Sequence, residues 1–164
     1  MMKWFSVRVR VIAILIFAGF IPCLSWAGGN EIALVSALPG GWCMDASLDH
    51  VIAEGRPVYL FKCLGVANQH FTVSASVNEQ AVIIGYGGQC LDVRPASKDS
   101  KEPVAPKLYS CHFGPNQRFS IEKTGEIKDV ATGLCLQVKE AKIRGPIILA
   151  KCQGAQGEQW VLKQ

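Results

Sequence analysis

The sequence predicts an all-β fold in which one structural unit is used three times, and three observations carry that reading. The segments Gly41-Trp-Cys43-Met-Asp45-Ala, Gly88-Gln-Cys90-Leu-Asp92-Val and Gly133-Leu-Cys135-Leu-Gln137-Val superimpose without a gap. A second cysteine follows in each copy, ending Val58-Tyr-Leu-Phe-Lys-Cys63, Pro106-Lys-Leu-Tyr-Ser-Cys111 and Ile147-Ile-Leu-Ala-Lys-Cys152. A closing motif then appears as Asn68-Gln-His-Phe71, Asn116-Gln-Arg-Phe119 and Gly157-Glu-Gln-Trp160, with its aromatic always eight residues past the second cysteine. Repetition at a fixed period marks an architecture assembled from one unit.

Each unit reads as four short strands. In the first copy these fall at about Ile32–Leu38, Trp42–Ala46, Val58–Phe61 and Phe71–Ser74. Alternation shows in Phe71-Thr-Val-Ser and Phe119-Ser-Ile-Glu, and Gly, Pro, Asn and Asp clusters separate the segments. No stretch after the leader holds a 3.6-residue period over about ten residues. Gln137–Ile143 contains helix formers, but the Gly145-Pro146 that follows reads as the turn of a hairpin. Three four-stranded units are too few for a propeller, which takes about four or more blades. They suit a β-trefoil, where six hairpins close a barrel and cap one end. The repeats then span about residues 30–75, 76–122 and 123–164. Equivalent positions supply one shared core: Met44, Leu91 and Leu136; Leu60, Leu108 and Leu149; Phe71, Phe119 and Trp160.

The chain opens with an address. Lys3, Arg8 and Arg10 precede the apolar run 11–21, Pro22 ends it, and Ser25-Trp26-Ala27 offers the small residues a signal peptidase reads. A membrane span needs about 20 apolar residues, so residues 1–27 are expected to be a cleaved signal peptide and 28–164 the mature, extracytoplasmic domain, secreted or periplasmic. Cleavage removes Cys23 and three of the 17 basic residues, bringing the charge from +4 to about +1. Nothing left resembles the clustered basic face that nucleic acid or anionic lipid would need. The three histidines, His50, His70 and His112, are scattered, and no Cys-x-x-Cys occurs, so no metal site is expected. Six cysteines in an exported chain favour disulfides. They allow about fifteen pairings, of which threefold equivalence selects Cys43–Cys63, Cys90–Cys111 and Cys135–Cys152. On the chain-entropy account each contributes about 3 kcal/mol.

The Cys-Leu-Asp-Val element, the apolar strand ending in cysteine and the Gln-x-Trp/Phe closure, each recurring in three versions, resemble the ricin B-chain-type (R-type) lectin family over essentially all of residues 30–164. That resemblance implies a shallow sugar pocket per unit. An aspartate after the first cysteine accepts from vicinal hydroxyls, an aromatic two before the second cysteine stacks on the sugar, an asparagine donates to the same hydroxyls, and the adjacent glutamine braces the aspartate. Carried over, the first copy keeps Asp45, Phe61, Asn68 and Gln69, and the second keeps Asp92, Tyr109, Asn116 and Gln117. Four before the second cysteine, where such lectins often carry glutamine, stand Tyr59 and Lys107. The third copy departs throughout, with Gln137, Ala150, Gly157 and Glu158. A pyranose has a C–H patch on one face and hydroxyls at its edge, so one flat ring and a few convergent polar groups recognise it.

The expectation is a carbohydrate-binding module for galactose-type glycans, with up to two pockets. No cofactor, nucleic-acid partner or membrane insertion of the mature chain is expected. Nor is catalysis: there is no Gly-x-Ser-x-Gly, metal motif or phosphate loop. The alternative is a non-catalytic receptor-binding or assembly subunit of a toxin-like complex, with degraded sugar sites and a separate protein partner.

Overall fold

The computed structural model describes residues 30–49, 54–74, 80–94 and 103–164. The expected leader, with Cys23, and His50 lie outside the described residues. The described residues form twelve strands in antiparallel pairings. Copy 1 contributes β1 (Ala33–Ser36), β2 (Trp42–Ala46), β3 (Arg56–Lys62) and β4 (Thr72–Val73). Copy 2 contributes β5 (Ile83–Ile84), β6 (Cys90–Asp92), β7 (Lys107–Tyr109) and β8 (Phe119–Ile121). Copy 3 contributes β9 (Ile127–Asp129), β10 (Cys135–Val138), β11 (Gly145–Ala150) and β12 (Trp160–Lys163).

The first and last strands of each copy build the barrel. β4 pairs with β5, β8 with β9 and β12 with β1. Single bridges, Ile32 to Phe71, Ala81 to Phe119 and Glu126 to Gln159, complete the ring inside each copy. The middle strands form three hairpins, and β3 touches both β7 and β11 to join them into the cap. This is the β-trefoil that the repeats predict.

The hairpins share one register. Asp45 faces Tyr59, Asp92 faces Lys107 and Gln137 faces Ile148. One step along, Met44 faces Leu60, Leu91 faces Leu108 and Leu136 faces Leu149. All nine predicted core residues are buried in a single cluster, which Leu34, Ile83 and Ile127 extend by another threefold layer. Because side chains alternate across a strand, the residue next to each core leucine or methionine faces the other way. That places Asp45, Asp92 and Gln137 beside the core, on the opposite side of their strands.

The disulfides join Cys43 to Cys63, Cys90 to Cys111 and Cys135 to Cys152, with Cα atoms 5.0–5.2 Å apart. Each ties the start of a hairpin's first strand to the end of its second. A 3-10 turn follows the second cysteine in every copy, at Ala67–Gln69, Pro115–Gln117 and Gln156–Glu158, and delivers the closing motif back against the first strand.

One local expectation is corrected. The turn of the third hairpin lies at residues 143–144, and Gly145-Pro146 opens β11. Glycine is needed at 145 for close approach, since a Cβ there would meet the Glu140 carbonyl oxygen at 2.5 Å. Arg144 takes the left-handed conformation, φ 57°, that the turn requires.

Candidate functional site: three equivalent positions with three different outcomes

In copy 1, β2 presents Asp45 and the 3-10 turn presents Asn68 and Gln69. Asn68 donates from Nδ2 to Asp45 Oδ1 at 2.8 Å and to the Ala46 carbonyl at 2.9 Å. Gln69 donates from Nε2 to Asp45 Oδ2 and to the Lys62 carbonyl, both at 2.8 Å, while its Oε1 accepts from the Leu64 amide. A carboxylate has about four lone-pair positions, and these two amides use one on each oxygen. Burial pushes the Asp45 carboxyl above its ordinary value of 3.8, against the hydrogen bonds from Gln69 and Asn68. A depression of about 260 Å³ lies over the group, lined by Asp45, Asn68, Phe61 and Tyr59, with Leu48, Asp49, Leu64 and Val66 around it. Tyr59 and Phe61 are tilted neighbours, ring centroids 6.4 Å apart.

A cation reaches this site from another repeat. The Arg144 guanidinium, on the turn of the third hairpin, pairs with Asp49 and lies 5.1 Å from the Tyr59 ring centroid. At the equivalent tip of the first hairpin stands Gly55, also left-handed at φ 79°. A Cβ there would come within 2.9 Å of the Tyr109 hydroxyl, so glycine leaves room for the copy 2 aromatic. The tips of the first and third hairpins thus lean over the pockets of copies 2 and 1.

In copy 2 the same frame holds, but a side chain of the chain itself fills it. Gln117 donates to Asp92 Oδ2 at 3.0 Å and to the Ser110 carbonyl at 3.1 Å. Its Oε1 accepts from the amides of His112 and Phe113. Asn116 also hydrogen-bonds Asp92. Arg94 closes on the carboxylate from outside, Nε to Oδ1 at 2.8 Å and Nη2 to Oδ2 at 2.5 Å. Its guanidinium carbon lies 4.1 Å from the Tyr109 ring centroid. His112 Nε2 stands 3.2 Å from Asp92 Oδ2 and 3.0 Å from Arg94 Nη2. Burial raises the Asp92 carboxyl, yet the bonds from Arg94, Asn116 and Gln117 and the charge of Arg94 together hold it below the ordinary value. Lys107 faces Asp92 in register, and its side chain is exposed.

In copy 3 the polarity of the central bond is reversed. Gln137 donates to Glu158 Oε1 at 3.2 Å, where copies 1 and 2 have an aspartate accepting from a glutamine. Glu158 Oε2 accepts from the amides of Gln153, Gly154 and Ala155, the task that Oε1 of Gln69 or Gln117 performs elsewhere. Gly157 sits against the Val138 carbonyl so closely that a Cβ would lie 2.4 Å from it. The backbone occupies the space that an asparagine side chain takes in copies 1 and 2, and Ala150 supplies no ring.

The sequence singled out Asp45, Phe61, Asn68 and Tyr59, which line one depression, and Gln69, which hydrogen-bonds Asp45 beneath it. It singled out Asp92, Tyr109, Asn116 and Gln117, which meet around Arg94. It missed Arg94, His112, Asp49 and Arg144. Arg94 lies two residues past Asp92, where Ser47 and Lys139 stand in the other copies, so its only signal is a break in the repeat. Arg144 is distant in sequence from the site it reaches. Among the described residues, no group of three or more His, Cys, Asp or Glu is placed to hold a metal ion, and no helix is long and apolar enough to cross a membrane.

A family model for the ricin-type beta-trefoil lectin domain matches residues 79–164. Comparison with curated proteins finds no match. Among solved structures, the chain is similar to a designed threefold-symmetric protein, ThreeFoil, with TM-score 0.73 and 20% identity over 82% of this chain and 98% of that one. It is similar to part of a mosquitocidal holotoxin, with TM-score 0.71 and 16% identity over 83% of this chain, which spans 17% of that one. It is also similar to the C-half of the earthworm R-type lectin in complex with GalNAc, with TM-score 0.61 and 12% identity over 81% and 97% of the two chains. At these identities the likeness is one of fold.

Proposed function

The chain belongs to the ricin-type beta-trefoil lectin family, and on that premise we propose that it is an exported carbohydrate-binding module, without catalysis of its own, whose principal sugar pocket is that of copy 1. The observation that carries this reading is the Asp45 carboxylate, braced by Asn68 and Gln69 beside the Phe61 and Tyr59 rings; among the described residues no cation hydrogen-bonds it, and the nearby Arg144 pairs with Asp49 instead. Such a carboxylate accepts from two adjacent ring hydroxyls while an aromatic covers the C–H face of the sugar. Galactose-type glycans present that combination. Copy 2 offers the same groups behind Arg94, and copy 3 offers none of them. Three disulfides support an oxidising, extracytoplasmic setting.

The deciding experiment is a glycan array probed with the oxidised protein beside an Asp45→Ala variant of matched circular dichroism. Galactose-type glycans bind the first and are lost by the second. A folded protein silent on every glycan overturns the proposal.

A second reading, a docking or assembly subunit of a toxin-like complex, is favoured by the filling of two of the three pockets. It requires a glycan-silent protein that still binds a protein partner through this face.

A further inference from the structure

Resting on copy 1 as a sugar pocket, we propose that its ligand is a saccharide with an apolar aglycone, and that Leu48, Leu64 and Val66 form the subsite for that aglycone. These three are among the large apolar side chains the fold leaves exposed, at 57%, 62% and 40%. All three line the same depression as Asp45, Asn68, Phe61 and Tyr59. None belongs to the buried core cluster, so burial in this chain does not account for them. Exposed apolar side chains gathered at one place mark an interaction surface.

The other copies set the contrast. One and three residues past the second cysteine, copy 1 has Leu64 and Val66, copy 2 has His112 and Gly114, and copy 3 has Gln153 and Ala155. Leu48 stands where copy 3 has Glu140. At the two positions past the second cysteine, bulky aliphatic side chains stand only in copy 1, and among the described residues no cation is hydrogen-bonded to the aspartate of that copy. A bare pyranose offers one C–H face, which Phe61 and Tyr59 serve. Three further aliphatic groups at the rim meet nothing on such a sugar. They meet an alkyl or aryl group attached to it, and removing that group from water is the favourable step.

A soluble hydrophobic glycoside and a glycolipid headgroup share this chemistry. The test uses matched methyl and octyl glycosides in the galacto, gluco and manno series, below micellar concentration, titrated calorimetrically into the oxidised protein, an Asp45→Asn variant and a Leu48→Ser/Leu64→Ser variant. The octyl form is expected to bind at least about tenfold more tightly than the methyl form, the gain that about two buried methylene groups supply. In the double variant that ratio falls to about two or less while methyl glycoside affinity is kept, and Asp45→Asn loses both ligands. Equal affinity for methyl and octyl forms, with methyl binding intact, overturns the aglycone subsite and leaves the lectin reading standing. No binding in any series overturns both. Flotation with phosphatidylcholine vesicles, plain or carrying the same sugar on a lipid, assigns the source. Capture only by the sugar-bearing vesicles supports a glycolipid headgroup, and octyl glycoside binding without capture supports a free glycoside.

Discussion

Arg94 caps Asp92 as a planar ligand would. It gives two parallel N–H bonds, 2.8 and 2.5 Å, to the carboxylate and lays its guanidinium carbon 4.1 Å from the centre of the Tyr109 ring. On the reading proposed for copy 1, these are the two contacts, polar edge to aspartate and flat face to aromatic, that a sugar would make. Arginine stacks on rings and bonds carboxylates in one geometry, so a single side chain competes for both halves of the site.

Arg94→Ala is therefore expected to expose a second pocket. Calorimetric titration with the glycan that copy 1 binds would rise from one site per chain to two, and Asp92→Ala in the same background would return it to one. The stability cost is on the order of 1 kcal/mol, because Arg94 is partly exposed while Asp92 keeps its bonds to Asn116 and Gln117. A stoichiometry unchanged by Arg94→Ala would mean that copy 2 is closed by more than this side chain.

The two aspartates should separate in acid. Asp45 is raised by burial, so its charge, and with it sugar affinity at copy 1, is lost as pH falls through a value above 3.8. Asp92 is depressed, and its sign is opposite. It contributes stability that is present above the ordinary carboxylate value and is lost only as pH falls through the lower folded value. Affinity followed against pH should collapse while urea midpoints at the same pH still show a folded protein. Affinity and stability failing together would contradict the assignment of these shifts.

The reach of the sequence follows from what repeats. Met44, Leu91 and Leu136 occupy one register position in three hairpins, so spacing alone placed them in the core, and the same equivalence paired the cysteines. Asp45, Asn68 and Gln69 were legible as a group through the family resemblance, and a strand and a 3-10 turn bring them together. Arg94 was not, since its effect depends on which way one long side chain swings. Arg144 was not, because it acts across repeats, from the third hairpin onto Tyr59 of the first. In copy 3 the loss of a pocket could be read from Gln137 and Glu158, but not that the two had exchanged donor and acceptor.

That exchange can be tested by reversing it. Gln137→Asp alone places a second carboxylate against the buried Glu158 and is expected to cost about 2 kcal/mol or more, through like-charge repulsion and a lost donor. Adding Glu158→Gln restores the arrangement of copies 1 and 2 and should recover most of the loss, which urea denaturation of both single variants and the double variant would measure. The double variant should still bind no sugar at copy 3, because Gly157 lies against the Val138 carbonyl and admits no asparagine side chain. Additive losses in the cycle would refute the pairing.

Phe113 offers a gain in stability from the same symmetry. Two residues past the second cysteine, the chain is left-handed in every copy, at Gly65, Phe113 and Gly154, with φ of 66°, 56° and 71°. Only copy 2 holds a bulky side chain there, and that side chain is 54% exposed, so little packing offsets the backbone cost. A non-glycine residue in this region is disfavoured by about 1–2 kcal/mol, and part of that returns through the greater freedom glycine has in the unfolded chain. Phe113→Gly should thus raise the urea midpoint by an amount equivalent to about 0.5–1 kcal/mol, with the m-value unchanged. The Phe113 backbone N–H donates to Gln117 Oε1 without involving the ring, so that hydrogen bond survives the change. A fall in stability would show that the ring, though exposed, holds contacts worth more than the strain it imposes, and would make it a candidate for the face of copy 2 that meets a partner.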